Sequence, residues 1–220
     1  GSGNGFGVNA GVYAEVIENK LALGLSYKYA PTVPIEGTAE FDAPISTAAL
    51  FPNTDFDLSV QLPSMLVLGA TYFFNANDDL KRDKSNGSFI SFDVNYAQWS
   101  VFKELRFVYD QQVAGANELV AERNYHDSFT FRLGGQHTLN EKLTLRGGLN
   151  YDQEVANDCC VTPETPDAVR ISPSVGATIR PTKNLDIDLA FIWAEGMKRA
   201  TINEQANFPS TYKSLSLIHI

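Results

Sequence analysis

The residues of this chain that could do chemistry are few and scattered. Asp186 and Asp188 form an i,i+2 pair, which puts both carboxylates on one face of a strand. Paired carboxylates can divide acid and base roles in glycoside hydrolysis, but only at a defined separation inside a cleft. Spacing along one strand does not supply that cleft. His126 and His137 stand without a Gly-x-Ser-x-Gly nucleophile signature or a His-Glu-x-x-His metal motif around them. Cys159 and Cys160 are the only cysteines and are adjacent, so they cannot staple distant parts of a fold. They read as a loop pair, free or bridged to each other. His126, His137 and His219 have no ligand spacing, and neither a metal nor a cofactor is expected. Arg132 and Arg146 lie among polar side chains, where cations need partners, and Asp93, Asp152 and Asp188 are the candidates. Lys28 is a further cation of that kind. No enzyme chemistry is expected from these residues.

The elements that carry these side chains alternate with a period of two. "LTLRGGLNY" sends Leu143, Leu145, Leu149 and Tyr151 to one face, and Thr144, Arg146 and Asn150 to the other. "DSFTFRLGGQHTL" sets Phe129, Phe131 and Leu133 against Thr130, Arg132 and Gln136. "ISFDVNYAQW" sets Phe92, Val94 and Tyr96 against Asp93 and Asn95. One side of such a sheet is apolar and the other carries charge. Strands of about ten residues with this pattern, and aromatics near their ends, are the mark of an outer-membrane barrel: lipid meets the apolar side and the polar side lines a lumen.

Composition bounds the reading without deciding it. At 220 residues the chain could be one domain, and 44% hydrophobic content is ordinary for a soluble protein. No apolar run approaches the roughly 18 residues of a membrane helix, which excludes a helical membrane protein and leaves a barrel open. A net charge of −9 and a pI near 4.8 leave no basic stripe for phosphates, so nucleic acid is not an expected partner.

Nine strands are expected, at 5–16, 21–38, 55–74, 88–109, 125–139, 143–155, 169–180, 185–200 and 211–220. Tight turns at 17–20, 140–142 and 181–184 alternate with long connections at 39–54, 110–124, 156–168 and 201–210, as periplasmic turns and extracellular loops do in barrels. The charged stretch 75–87 breaks that alternation. Pro63 and Pro173 fall inside expected strands, where each must mark an edge, a bulge or a break. Met65, Val67 and Ile192 make the polar side greasier than a water-filled wall requires.

The chain resembles the FadL/TodX family of outer-membrane transporters for long-chain fatty acids and other hydrophobic compounds. The resemblance rests on "GFGVNAGVYAEVIENKLALGLSYKY", "LPSMLVLGATYFF", "SFDVNYAQWSVFKELRF", "RNYHDSFTFRLGGQHTLNEKLTLRGGLNYDQEV" and "PDAVRISPSVGATIRPTKNLDIDLAFIWA" in that order. It implies an all-β, antiparallel transmembrane barrel of fourteen strands, of which residues 1–220 form the C-terminal portion with about nine. A plugging hatch and the early strands are then expected upstream of Gly1, and the last residues, "SLSLIHI", fit the terminal strand least well. By the same resemblance, the region 43–52 is one member of an extracellular loop pair that collects substrate. Its Ile45, Leu50 and Phe51 are the expected substrate-binding residues, and Lys28, Asp93, Arg132, Arg146, Asp152 and Asp188 are expected to charge the lumen. Expected partners are outer-membrane lipid and a hydrophobic small molecule, with the intact protein monomeric and multi-pass in a Gram-negative outer membrane. Two other readings stay open: a polar-solute channel or structural barrel, and a soluble extracellular all-β binding module.

Overall fold

The computed structural model describes residues 1–74, 87–161, 167–182, 184–203, 208–212 and 215–219. The strands in these residues are β1 (Ser2–Gly3), β2 (Val8–Ile17), β3 (Leu21–Tyr29), β4 (Thr32–Ala39), β5 (Thr54–Gln61), β6 (Met65–Phe73), β7 (Phe89–Ala97), β8 (Glu104–Val113), β9 (Ala116–Glu122), β10 (Ser128–Asn140), β11 (Leu143–Asp152), β12 (Arg170–Thr182), β13 (Leu185–Gly196), β14 (Arg199–Asn203), β15 (Phe208–Tyr212) and β16 (Leu215–His219). They form a nine-stranded antiparallel wall in the order β2-β3-β6-β7-β10-β11-β12-β13-β16, a five-stranded cap in the order β1-β4-β5-β8-β9, and the hairpin β14-β15. The wall is open, with β2 and β16 as its edges among the described residues.

Register makes the wall's two faces explicit. Val12, Leu25, Leu68, Val94, Phe131, Tyr151 and Ile171 pair one after another across seven strands and form a continuous apolar row. One residue along, Gly69, Asp93, Arg132, Asn150 and Ser172 form a polar row on the opposite face. The apolar row and its neighbours stay uncovered, and Leu23, Leu25, Leu68, Phe92, Leu133, Val175 and Leu189 are all exposed. The buried hydrophobic residues among those described are only Ala22, Ala97, Ala156, Cys160 and Val161. A sandwich would press such a face against a second sheet. Here it faces outward over strands of about the 9–11 residues that cross a bilayer when tilted.

Each of the nine expected strands contributes one strand to the wall, and three of them also supply a strand to the cap. The segments 21–38, 55–74 and 88–109 each split in two, one half joining the wall and the other the cap. Pro31 and Pro63 lie in the first two splits, where their missing N–H groups interrupt the ladder. A 3-10 turn, Trp99–Val101, occupies the third. The connections 110–124 and 201–210, expected as loops, hold β9, β15 and the end of β14. At the β8–β9 turn, Ala114 and Gly115 both have positive φ, 52° and 84°, which suits the twist of a two-residue hairpin. Pro173 stays inside β12 opposite Leu149, and the ladder from β12 to β13 skips Ser172 and Pro173. The expected charged connection 75–87 lies, apart from Gly87, outside the described residues.

Candidate functional site

The polar face of the wall carries several of its charges in pairs. Arg132 on β10 donates to Asp93 on β7 at 3.1 Å, its direct cross-strand neighbour. Arg146 on β11 reaches Gln136 at 2.9 Å, Thr178 at 2.6 Å and Asp188 at 3.4 Å, so it spans four adjacent strands. The Thr178 hydroxyl also donates to Asp188. Asp152 accepts from Thr130 at 2.9 Å and Asn150 at 2.6 Å. Arg180 holds Asp186 at 3.3 Å and Thr144 at 3.0 Å. Asp186 and Asp188 are therefore each tied to an arginine and do not form a free carboxylate dyad. Lys28 lies on the same face, opposite Asn9 and Met65. Alternating signs let a charged wall exist without a large unpaired field.

The cap holds the apolar loop residues. Between β4 and β5 the chain makes a 3-10 turn, Ala48–Leu50, followed by Phe51, whose ring lies 5.9 Å from that of Phe41. Ile45 is 99% exposed and Leu50 54%. The Ala114 N–H, at the tip of the β8–β9 hairpin, donates to the Leu50 carbonyl at 2.6 Å and fixes the loop against the cap sheet. The cap sheet has apolar residues of its own, from the expected strands 21–38, 55–74 and 88–109. Val33 pairs with Val60, Ile35 with Leu58, and Leu58 with Phe107, while Phe56 and Phe107 pack at 5.5 Å. The opposite cap face carries Glu36, Asp57, Glu104, Arg106 and Glu118, with Arg106 bridging Glu104 at 2.9 Å and Glu118 at 2.7 Å. The hydrogen bond and charge of Glu104, with Glu118 behind them, raise the Arg106 guanidinium further above its ordinary value.

Two knots lock the connections at this end. Trp99, Phe102 and Tyr125 form a mutual aromatic cluster with centroids 5.3 to 6.4 Å apart. Beside it, Asp127 accepts from the Tyr96 hydroxyl at 2.5 Å and from the Ser100 N–H at 2.9 Å. Burial pushes the Asp127 carboxyl up, but the hydrogen bonds from Tyr96 and Ser100 outweigh it and leave the group below its usual value. In the second knot Arg199, whose side chain is 15% exposed, holds Asp158 at 2.7 Å and the Ala156 carbonyl at 2.7 Å. Asp167 accepts the Val155 and Ala156 N–H groups at 2.6 and 2.8 Å. Cys159 and Cys160 are bonded to each other inside this knot, with Cys160 buried.

One pairing was not legible in sequence: Ser88 Oγ lies 3.0 Å from His137 Nδ1. Ser88 is 4% exposed and also accepts the Thr138 N–H at 3.2 Å, so the hydroxyl is enclosed and joins β7 to β10. His126 Nδ1 contacts its neighbour's carbonyl, the Asp127 oxygen, at 3.0 Å.

An antiparallel wall that is apolar outside and charge-paired inside, with its long connections gathered into a cap at one end, defines an outer-membrane β-barrel, present here as an open segment. Residues 1–217 match the family described as outer membrane protein transport protein (OMPP1/FadL/TodX), and the chain belongs to that family. It is 29% identical over 208 residues to the 47 kDa outer membrane protein of Pasteurella multocida, covering 94% of this chain and 47% of the relative. It is 29% identical over 219 residues to outer membrane protein P1 of Haemophilus influenzae, covering 94% and 44%. It is 24% identical over 209 residues to the long-chain fatty acid transport protein of Salmonella typhi, covering 91% and 45%. The chain spans about half the length of the curated relatives it matches. The fold is shared with the crystal structure of a Pseudomonas aeruginosa FadL homologue, at a TM-score of 0.71, 17% identity, and coverage of 96% of this chain and 49% of that one.

Proposed function

We propose that the protein containing this chain passes hydrophobic compounds, such as long-chain fatty acids or aromatic hydrocarbons, across the outer membrane without an energy source or a chemical step. The observation that carries this reading is the set of apolar side chains on the cap loop: Ile45 and Leu50 in the open, and Phe51 half-buried with its ring tilted against Phe41. Exposed apolar patches of this kind mark binding surfaces. Each methylene removed from water there is worth roughly 0.8 kcal/mol, so an alkyl chain can be collected without charge recognition. In this reading Ile45, Leu50 and Phe51 line a capture groove. Lys28, Asp93, Arg132, Arg146, Asp152 and Asp188 line a lumen in which Arg132 is paired with Asp93 and Arg146 with Asp188. Membrane lipid surrounds the apolar face, and the intact protein works as a monomer that crosses the membrane many times.

The test is uptake of radiolabelled oleate and toluene by bacteria carrying the full-length parent and the variant Leu50→Asp/Phe51→Asp. Uptake that falls several-fold in the inserted variant supports the groove, and the compound more affected indicates the preferred class. An inserted parent that takes up neither compound refutes the proposal.

A further inference from the structure

Among the described residues the chain passes between wall and cap five times, and three of these crossings break at one level. The breaks are Ala30–Pro31 between β3 and β4, Leu62–Ser64 between β5 and β6, and Gln98–Lys103 between β7 and β8. Ser64 touches all three. It lies in the second break, its hydroxyl oxygen accepts the Ala30 N–H at 3.3 Å, and its carbonyl accepts the Gln98 N–H at 2.9 Å. It is only 8% exposed. Pro31 and Pro63 supply no N–H, so neither ladder can run through its break. The Leu62 N–H reaches the Pro31 carbonyl at a long 3.4 Å. These three breaks are thus joined to one another by a few hydrogen bonds meeting on Ser64, where a continuous sheet would have a ladder. The third is also tied to the β9–β10 connection through the Lys103 and Phe102 carbonyls and Asp127.

Two sheets joined by aligned breaks can reorient about the line of those breaks, because a few residues absorb the backbone rotation while each sheet stays intact. We propose that Ser64 is a positioning residue that pins this line and sets the tilt of the cap over the wall. Its hydroxyl ties the first break to the second, and its carbonyl ties the second to the third. The tilt fixes how the Ile45–Phe51 loop stands above the polar face, since that loop belongs to the cap through Ala114 and Leu50. The consequence for uptake rests on the transport reading, but the mechanical role does not.

The experiment places spin labels on the full-length protein in lipid bilayers, at Ser59→Cys in the cap and Glu141→Cys in the tight turn at the far end of the wall. Cys159 and Cys160 are bonded to each other, leaving no free thiol among the described residues to compete for label. The expected result is one narrow distance distribution that widens at least two-fold in Ser64→Ala and stays narrow in Ser64→Thr, which keeps the acceptor oxygen. Ala30→Pro removes the donor instead of the acceptor and is expected to widen the distribution equally, which covers the case in which Ser64→Ala does not insert. For uptake, Ser64→Ala is expected to raise the half-saturating oleate concentration several-fold with the maximal rate within two-fold. An unchanged width in inserted Ser64→Ala or Ala30→Pro overturns the proposal, as does equal widening in Ser64→Thr. Because the labels need no substrate, absent uptake by the parent removes the transport reading alone and leaves the distance result to decide this one.

Discussion

Tyr96 and Asp127 join the wall to its cap: the last outward-facing side chain of β7 donates its hydroxyl to the carboxylate that precedes β10, at 2.5 Å. Because the same carboxylate also caps the Ser100 N–H, one acidic group organises the turn by which β7 leaves the wall.

That carboxylate makes the junction sensitive to acid. Asp127 has its folded pKa depressed below the ordinary 3.8, so its contribution is fully present above about that pH and is lost as pH falls through the lower folded value. Tyr96→Phe removes one of the bonds that lower it. The acid transition of this junction is expected to move to higher pH in that variant, while stability at pH 7 falls. Hydrogen exchange at the Ser100 amide as a function of pH, in bilayers, reads both effects. No displacement of the acid transition would mean that the Tyr96 bond does not hold the carboxylate.

Arg132 and Asp93 are direct neighbours on a face open to water, where a pair contributes up to about 1 kcal/mol. Asp93→Asn and Arg132→Gln are each expected to lower stability by no more than that, and the double variant by little more than either single one. Urea unfolding in bilayers checks this. A loss above roughly 3 kcal/mol for one single variant would place the pair in a buried setting instead.

The Arg199 knot should behave differently, since its guanidinium is largely enclosed while Asp158 is exposed. Arg199→Ala is expected to cost about 2 kcal/mol of local stability through the lost charged hydrogen bonds. It should do so within the 153–161 connection and leave the wall intact. Proteolysis there, compared with amide exchange along β11, separates local from global loss. Arg199→Lys keeps the charge but not the fork that reaches Asp158 and Ala156 together, and is expected to recover only part.

Ala114 occupies a left-handed conformation that costs an L-residue with a Cβ about 1 kcal/mol. Ala114→Gly is expected to stabilise the cap hairpin by up to that amount, and Ala114→Val to destabilise it by about 1–2 kcal/mol. The latter should also free the Leu50 carbonyl, visible as faster exchange of the amide at position 114. Equal stability of the two variants would contradict the turn geometry.

Much of the wall was legible because its environment writes itself into every second residue. Phe129, Phe131 and Leu133 face outward while Thr130 and Arg132 face the polar side, and the nine alternating segments each supplied a wall strand. The proline positions also signalled breaks, and Pro63 falls in one. The partners of Arg132 and Arg146 came from a short roster of acids, but which acid each takes depends on register. Asp152, one of that roster, is satisfied by Thr130 and Asn150. Ser64 carried no signal at all, because an isolated serine beside a proline looks the same in a turn, a loop or a hinge.

By itself the sequence determined the two-faced strands of the wall, since a period of two is a local property. Only the tertiary structure decided which strand belongs to which sheet. Val33 and Ile35 alternate with Pro34 and Glu36 just as Leu23 and Leu25 alternate with Gly24 and Ser26, so periodicity runs unbroken from β3 into β4. The two halves part because their backbone groups find different partners, β2 and β6 for one, β1 and β5 for the other. The choice of a hydrogen-bond partner is made between residues distant along the chain, and no local pattern records it.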